Sequence, residues 1–346
     1  MIRKILTSKR VWFGLIFLSL LLLASILYNP LLKEILPEQK KLLYTADKEL
    51  LAAAPFSPIE MPPFGTDRFG IPLVNKIIEG AKYTIVFALL ISFFRIFLGT
   101  IIGIFISMFT KRLKNFITGL SQAFNYVPTI FLAFILIQPL YISVSGEDTL
   151  ISTQWGLTLY QIFVAIGIGA PTIAVFIANE IDEYRKSEHV LSSILMGATK
   201  IHLIRTHIWL YLKDKLLILF MQNIVHVLIL FTHLGLLHLF IGGERIIPLD
   251  NGGAQSASLS NEWSGLLGAS NYEMTLSPWI VISPLVAFTI TIYIIKLMTE
   301  GVQDALNTRN VNSSIEKQEE DKQKLTIEKH LFTFAISRKN KGRANF

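Results

Sequence analysis

The sequence of 346 residues contains no cysteine, and only 16% of its residues are charged. Without cysteine the chain has no disulfide scaffold, thiolate metal site, cysteine nucleophile or lipid-modified N-terminal cysteine. A soluble globular protein carries about 25% charged residues, so this deficit is too large for a chain that folds in water. The hydrophobic content of 52% also excludes a disordered chain. The composition therefore indicates a polytopic helical membrane protein. In such a protein the formal net charge of +7 does not indicate nucleic acid, since Lys and Arg collect on the cytoplasmic face.

Six apolar stretches are long enough to cross the hydrocarbon core, which a helix spans with about 20 residues. They cover residues 11–28, 83–110, 116–143, 157–179, 216–240 and 279–295. Basic residues precede the first stretch, separate the second from the third and the fourth from the fifth, and follow the sixth. This distribution places both termini in the cytoplasm. The first stretch is predicted to be an uncleaved anchor, because it ends in Tyr28-Asn29-Pro30 rather than at a small-residue cleavage site.

The stretches divide the chain into four parts. A cytoplasmic N-terminal tail and anchor (1–28) are followed by a proline-rich extracytoplasmic segment (29–80), in which residues 50–54 are predicted to form a short helix. A five-helix core (81–300) contains a cytoplasmic loop (180–215), and a cytoplasmic tail (301–346) ends the chain.

The predicted spans carry little ionisable chemistry. The five spans after the anchor contain no Asp or Glu, and Arg95 is their only strong charge, which we interpret as a structural or headgroup contact. His226 and His233 lie nearly on one face of the fifth span, and His238 is rotated off it. Helix contacts or pore-facing roles are therefore favoured over a metal site for these histidines. No Gly-Lys-Ser/Thr motif of a phosphate-binding loop is present. No cofactor is expected on this chain, and any ATP hydrolysis is expected on separate subunits.

The loop 180–215 is predicted to contain two short amphipathic helices joined by an elbow. The first helix would carry an apolar stripe of Val190, Leu191, Ile194 and Leu195, and the second a stripe of Ile201, Ile204, Ile208 and Tyr211. Gly197 is suited to the residue that follows the first helix, and Thr199 to the N-cap of the second. Periodicity alone leaves two interpretations open, which are a docking surface for a partner and helices lying at the membrane interface.

The same loop, SEHVLSSILMGATKIHLIRTHI, resembles the Glu-Ala-Ala loop of ABC importer permeases, which forms a coupling helix seated on the ATPase. Leu191-Ser192-Ser193 occupies the place of the Glu-Ala-Ala triplet, and Gly197-Ala198-Thr199 that of the Gly-Ala-Ser elbow. The sequence departs from the family pattern at Leu191, which replaces the acidic residue, and at Leu210, which replaces the usual proline.

Two further segments resemble the dipeptide/oligopeptide permease subfamily. The segment FGTDRFGIPLVNKIIEGAKYTI contains Gly65, Thr66, Asp67 and Gly70 at positions typical of its entry to the core helices, with Ile71-Pro72 in place of Arg-Asp. We expect this to be an architectural turn in which Asp67 binds local amides. The segment NEWSGLLGASNYEM and the span after it resemble the C-terminal end of the same subfamily.

The resemblance implies an all-α type I ABC importer permease with six transmembrane helices in the bacterial plasma membrane. It also implies a second homologous permease subunit, two ABC ATPase subunits and an extracytoplasmic solute-binding protein as partners, with peptides as cargo. A nickel or metal-chelate importer and a non-transporting membrane subunit remain alternatives. Polar residues that could line the pore or bond across helix interfaces are Gln122, Asn125, Gln138, Gln222 and Asn223.

Overall fold

The computed structural model describes residues 8–44, 50–145, 151–248 and 254–306. Within them, five helical stretches are long and apolar enough to cross a membrane. They are Lys9–Ile35, Leu73–Phe109, Trp155–Tyr184, Lys200–Leu236 and Trp279–Leu306. These stretches coincide with the first, second, fourth, fifth and sixth apolar stretches predicted from the sequence.

The helices are named α1 to α10 in chain order. They are α1 (Lys9–Leu27, extended by a π-helical turn Tyr28–Leu32 and by Lys33–Ile35), α2 (Leu73–Phe109), α3 (Lys111–Tyr126), α4 (Thr129–Ser145), α5 (Ile151–Tyr184), α6 (Glu188–Leu195), α7 (Lys200–Leu203), α8 (Trp209–Leu236), α9 (Trp263–Ala269) and α10 (Trp279–Leu306). A π-helical turn, Ile204–Ile208, joins α7 to α8, and a 3-10 turn, Asn271–Met274, follows α9.

The prediction of one helix over residues 116–143 is wrong. The chain forms α3 and α4 instead, with a break at Val127, which is extended (φ −95°, ψ 123°). The next residue is Pro128, whose ring disfavours helical backbone at the preceding position. α3 begins with basic residues and is amphipathic, so the apolar part of this crossing is α4. With 17 residues, α4 is ~25 Å long.

Two β-hairpins lie in the segments expected to be extracytoplasmic. β1 (Leu42–Tyr44) pairs antiparallel with β2 (Leu50–Ala53), and β3 (Glu244–Pro248) pairs with β4 (Ala254–Ser258). The short helix predicted at residues 50–54 is therefore wrong. A helix of this length that ends before Pro55 is too short to offset the free-energy cost of helix nucleation. Pairing with Leu42 and Leu43 instead gives the backbone amide and carbonyl groups of this stretch hydrogen-bond partners.

The centre of the fold is the parallel pair of α2 and α5. A Cβ atom on Gly99 would overlap Ile173, and one on Gly103 would lie 2.8 Å from the carbonyl oxygen of Ala174. Glycine at these positions lets the two backbones approach closely, which is how membrane helices gain packing energy without a hydrophobic driving force.

The anchor α1 packs along α2 and α10. Gly14 lies against Met298, so that a side chain at position 14 would overlap it. Near the other end, Ser25 donates to the carbonyl of Glu79 (3.0 Å) and accepts from the amide of Lys82 (2.9 Å). α1 is thus an integral part of the helical bundle.

The short helix α9 closes the extracytoplasmic end of the core. Trp263 is buried, its indole donates to the carbonyl of Ile77 (2.8 Å), and its amide donates to Thr84 Oγ1 (3.0 Å). Glu262 caps α9 by accepting from the amide of Ser264 (2.8 Å). Complete burial of this carboxyl raises the pKa of Glu262 to about 7.

Candidate functional site

The elbow, residues 196–199, has the geometry of a helix stop followed at once by a helix start. Gly197 has φ +87°, its amide donates to the carbonyl of Ile194 (3.0 Å), and the amide of Ala198 donates to Ser193 (3.0 Å). These two hydrogen bonds form a Schellman motif, which requires a left-handed residue at position 197. Thr199 Oγ1 then accepts from the amide of His202 (3.3 Å) as the N-cap of α7. The local geometry agrees with the predicted cap and turn.

Buried side chains attach the elbow to the spanning helices. Val190 on α6 and Ile208 before α8 are fully buried, and Leu203 is nearly so. They pack in one cluster with Ile181 near the end of α5 and with Leu212 on α8. Two spanning helices therefore hold the elbow between them.

Polar and aromatic contacts reinforce this attachment. The rings of Tyr184 and Tyr211 stack with centroids 4.0 Å apart, and His189 Nε2 lies 3.1 Å from the hydroxyl of Tyr184. Ser193 Oγ lies 3.1 Å from His207 Nε2, which ties α6 to the turn before α8. An ion pair joins Glu180 on α5 to Lys215 on α8, and Tyr211 donates to the same carboxylate (2.8 Å). The sequence interpretation missed this network, because its members are scattered over more than thirty residues.

The elbow and the helices α6 and α7 on either side of it present a group of exposed apolar side chains, here named the apolar knob. The knob consists of Leu191, Leu195, Met196 and Ile201, which are 47%, 80%, 82% and 64% exposed. The predicted stripe on α6 is therefore divided, since Val190 faces the core while Leu191 and Leu195 face outward. Large exposed apolar side chains so close together along the chain are typical of a protein or membrane interaction site. Ser192 and Ser193 of the matched triplet are not part of the knob, because their hydroxyls donate to carbonyls within α6.

The predicted extracytoplasmic turn lies at the entry to α2. Gly65 and Gly70 have φ +78° and +76°, and a Cβ on either would overlap backbone atoms of another segment. Asp67 Oδ1 accepts from the amides of Phe69 (2.9 Å) and Ile71 (2.8 Å).

Two side chains of the turn tie it to its surroundings. Lys76 donates to Asp67 Oδ2 (2.6 Å), and the buried Thr66 Oγ1 accepts from the amide of Phe56 (2.8 Å). Through these contacts the turn is held to Lys76 on α2 and to Phe56, and its architectural role stays a prediction.

The candidate pore residues do not form one group. Asn223 is buried and accepts from Arg95 Nη1 (3.3 Å), whereas its neighbour Gln222 is exposed. Gln122 on α3 is exposed and Gln138 on α4 is half-buried, and the side chain of Asn125 lies outside the described part of the structure.

Arg95 joins three helices. It is buried on α2 and donates through Nε and Nη2 to the carbonyl of Ala165 on α5 (2.8 and 2.6 Å), as well as to Asn223 on α8. The structural interpretation of Arg95 agrees with these contacts, and the headgroup interpretation does not. An arginine that bonds two neighbouring helices in the bundle interior fixes their relative positions.

The histidines of the fifth span are dispersed. His226 and His233 are exposed on α8, and His238 follows its end with φ +57° and packs on the ring of Tyr272 (6.0 Å). No group of three or more possible metal ligands occurs among the described residues.

The family of the chain follows from comparison with known proteins. Residues 95–311 match the family described as binding-protein-dependent transport system inner membrane component. Since this match covers more than half of the chain, the protein belongs to that family, the membrane permeases of ABC importers with the type I permease fold. It is accordingly a multi-pass protein of the plasma membrane.

Two relatives come from Haemophilus influenzae. The oligopeptide transport system permease protein OppC is 21% identical over 248 residues, which are 71% of this chain and 70% of that protein. The peptide transport system permease protein SapC is 22% identical over 246 residues, which are 70% of this chain and 73% of that protein. The resemblance to peptide permeases is thereby confirmed.

Proposed function

We propose that this chain forms half of the translocation pore of an ABC importer for short peptides, and that ATPase subunits drive it through the elbow. The peptide cargo is supported by the similarity of the chain to OppC and SapC, an oligopeptide and a peptide transport permease. The other half of the pore would be a second homologous permease, and an extracytoplasmic solute-binding protein would deliver the peptide.

The observation that carries the proposal is the apolar knob on a firmly held elbow. Helix α8 is continuous with the elbow through α7 and the π-helical turn, and together they form a helical stretch of 37 residues. A displacement at Ala198 is therefore transmitted along a rod ~55 Å long. The buried contacts of Val190 and the stack of Tyr184 on Tyr211 pass the same displacement to α5. Force applied from the cytoplasm would thus reach two core helices at once.

The absence of acidic side chains in the predicted spans is consistent with a permease that is driven by separate ATPase subunits. An ion-coupled carrier needs a group in the membrane that binds and releases the ion, and such groups are usually carboxylates. Arg95 does not fill that role, since its contacts are structural.

The test is recovery of the ATPase with the full chain from its own membranes in mild detergent. We expect wild type to bring down two ATPases with phosphate-binding loops, and Met196→Asp to reduce their recovery at least tenfold. Ile59→Asp is the matched control, because Ile59 is also an exposed apolar residue (92%) but lies in the extracytoplasmic segment. Equal recovery with Met196→Asp, or no ATPase with wild type, would overturn the proposal.

A further inference from the structure

One exposed face of α8 carries three polar side chains among its five residues. The exposed positions from the middle of the helix onward follow one another at intervals of four and three residues, which places them on a single side of the helix. They are Gln222, His226, Ile229, His233 and Leu236, here named the α8 stripe. Asn223, one position further round the helix, is already buried against Arg95.

The polar members of the stripe lie at the depth of the hydrocarbon core. We take Lys215, which pairs with Glu180 near the cytoplasmic end of α5, as the inner boundary of the hydrocarbon core. At 1.5 Å per residue, Gln222 lies ~10 Å, His226 ~16 Å and His233 ~27 Å above Lys215 along the helix. The hydrocarbon core is ~30 Å thick, so all three side chains lie within it.

This composition differs from that of the exposed face of α2, which is expected to face lipid. The exposed side of α2 at comparable depth consists of aromatic and aliphatic residues, among them Phe93, Phe97, Ile101 and Phe105. An amide or imidazole in hydrocarbon lacks hydrogen-bond partners, which is strongly unfavourable, whereas water in a cavity supplies such partners. The α8 stripe is therefore unsuited to contact with lipid.

We propose that the α8 stripe is the wall that this subunit contributes to the aqueous pathway, and that Gln222, His226 and His233 hydrogen-bond the backbone amides of a peptide in transit. This inference rests on the proposed function. An amide and an imidazole can each donate and accept, which suits the alternating N–H and C=O groups of any peptide backbone. Such a wall binds peptides with little regard to their side chains.

The orientation of His233 leaves one ring nitrogen free for this role. Its Nδ1 lies 2.8 Å from the carbonyl oxygen of Ile229 on the same helix. Because a carbonyl only accepts, Nδ1 is the donor, and Nε2 points away from that bond. Among the residues that the structure describes, no group of three or more possible metal ligands includes His226 or His233.

The absence of native cysteine makes the wall directly testable by thiol labelling of the full chain in membrane vesicles. Gln222→Cys, His226→Cys and His233→Cys are expected to react with an anionic methanethiosulfonate at least tenfold faster than Phe97→Cys, the lipid-facing control. Ile229→Cys tests position and not polarity, because the native Ile229 is apolar but lies on the α8 stripe. This variant is also expected to react fast. Slow labelling of all four stripe variants, at the rate of Phe97→Cys, overturns the inference.

The class of cargo is tested by protection in the same vesicles. Trialanine is expected to slow the labelling of His226→Cys at least threefold, and nickel chloride with free histidine is expected to leave it unchanged. Failure of trialanine to protect overturns the assignment to peptides. The outcome is separable from that of the proposed function, because recovery of the ATPase is measured independently: ATPase recovery with an unreactive stripe refutes only this inference.

Discussion

The substitution Gly197→Ala, which adds a single methyl group, tests the coupling role of the elbow. The φ of +87° at this position is costly for residues with a Cβ, whereas an added Cβ would meet no atom within 4 Å. The effect of Gly197→Ala is therefore conformational and not steric. Holding alanine in the left-handed region costs about 1–2 kcal/mol. If the backbone at position 197 leaves the left-handed region instead, the two hydrogen bonds of the Schellman motif break, at about 0.5–1.5 kcal/mol each. Keeping the bend and unwinding it therefore cost the alanine variant similar free energies.

A change of about 1–2 kcal/mol shifts the equilibrium between bent and unwound elbow by about 5- to 30-fold. Because the elbow is exposed, this shift is local, and the melting temperature of the purified chain should hardly change. We expect the affinity for the ATPase, and peptide uptake by the reconstituted transporter, to fall by up to that factor. Gly197→Asn should restore most of the activity, since asparagine tolerates the left-handed region. Wild-type uptake by Gly197→Ala, or an equal defect in both variants, would refute the reasoning.

Two predictions concern the cap formed by α9. Gly268→Ala should lower the free energy of unfolding of the detergent-purified protein by about 1–3 kcal/mol, because its Cβ would overlap the backbone carbonyl of Gly235. Gly119→Ala is the control and should be neutral or stabilising, because a Cβ there meets nothing within 4 Å. Equal melting temperatures of the two variants would contradict this account. The pKa of Glu262, raised by burial from 4.5 to about 7, means that the folded state binds the proton more tightly than the unfolded state. The free energy of unfolding should therefore be highest below about pH 4.5 and fall by about 3 kcal/mol in all as the pH rises above 7. Thermal melts from pH 5 to 8 measure this dependence, which should flatten in Glu262→Gln; an unchanged pH dependence in that variant would assign it to other groups.

The sequence alone determined the class of the protein and the positions of most spanning helices. Five of its apolar stretches form single long helices. In lipid, a helix is the only way in which one run of about 20 apolar residues can pair all of its backbone amide and carbonyl groups in hydrogen bonds. The elbow was also predictable, since Gly197 and Thr199 act through their own backbone and their immediate neighbours. Asp67 likewise binds amides only two and four residues away, so its turn could be read from local spacing.

Tertiary structure decided which side of each element faces the core. Val190 and Leu191 are adjacent apolar residues, and only the packing of α6 against α5 and α8 buries the first and exposes the second. Gln222 and Asn223 looked equivalent in sequence, yet Arg95, 128 positions before Asn223, buries one of them and leaves the other on the stripe. The strand at residues 50–53 likewise depends on a partner strand, which local propensity does not supply. Local hydrogen bonds are encoded within a few residues, whereas exposure is set by neighbours from distant parts of the chain, and the functional surfaces of this permease depend on exposure.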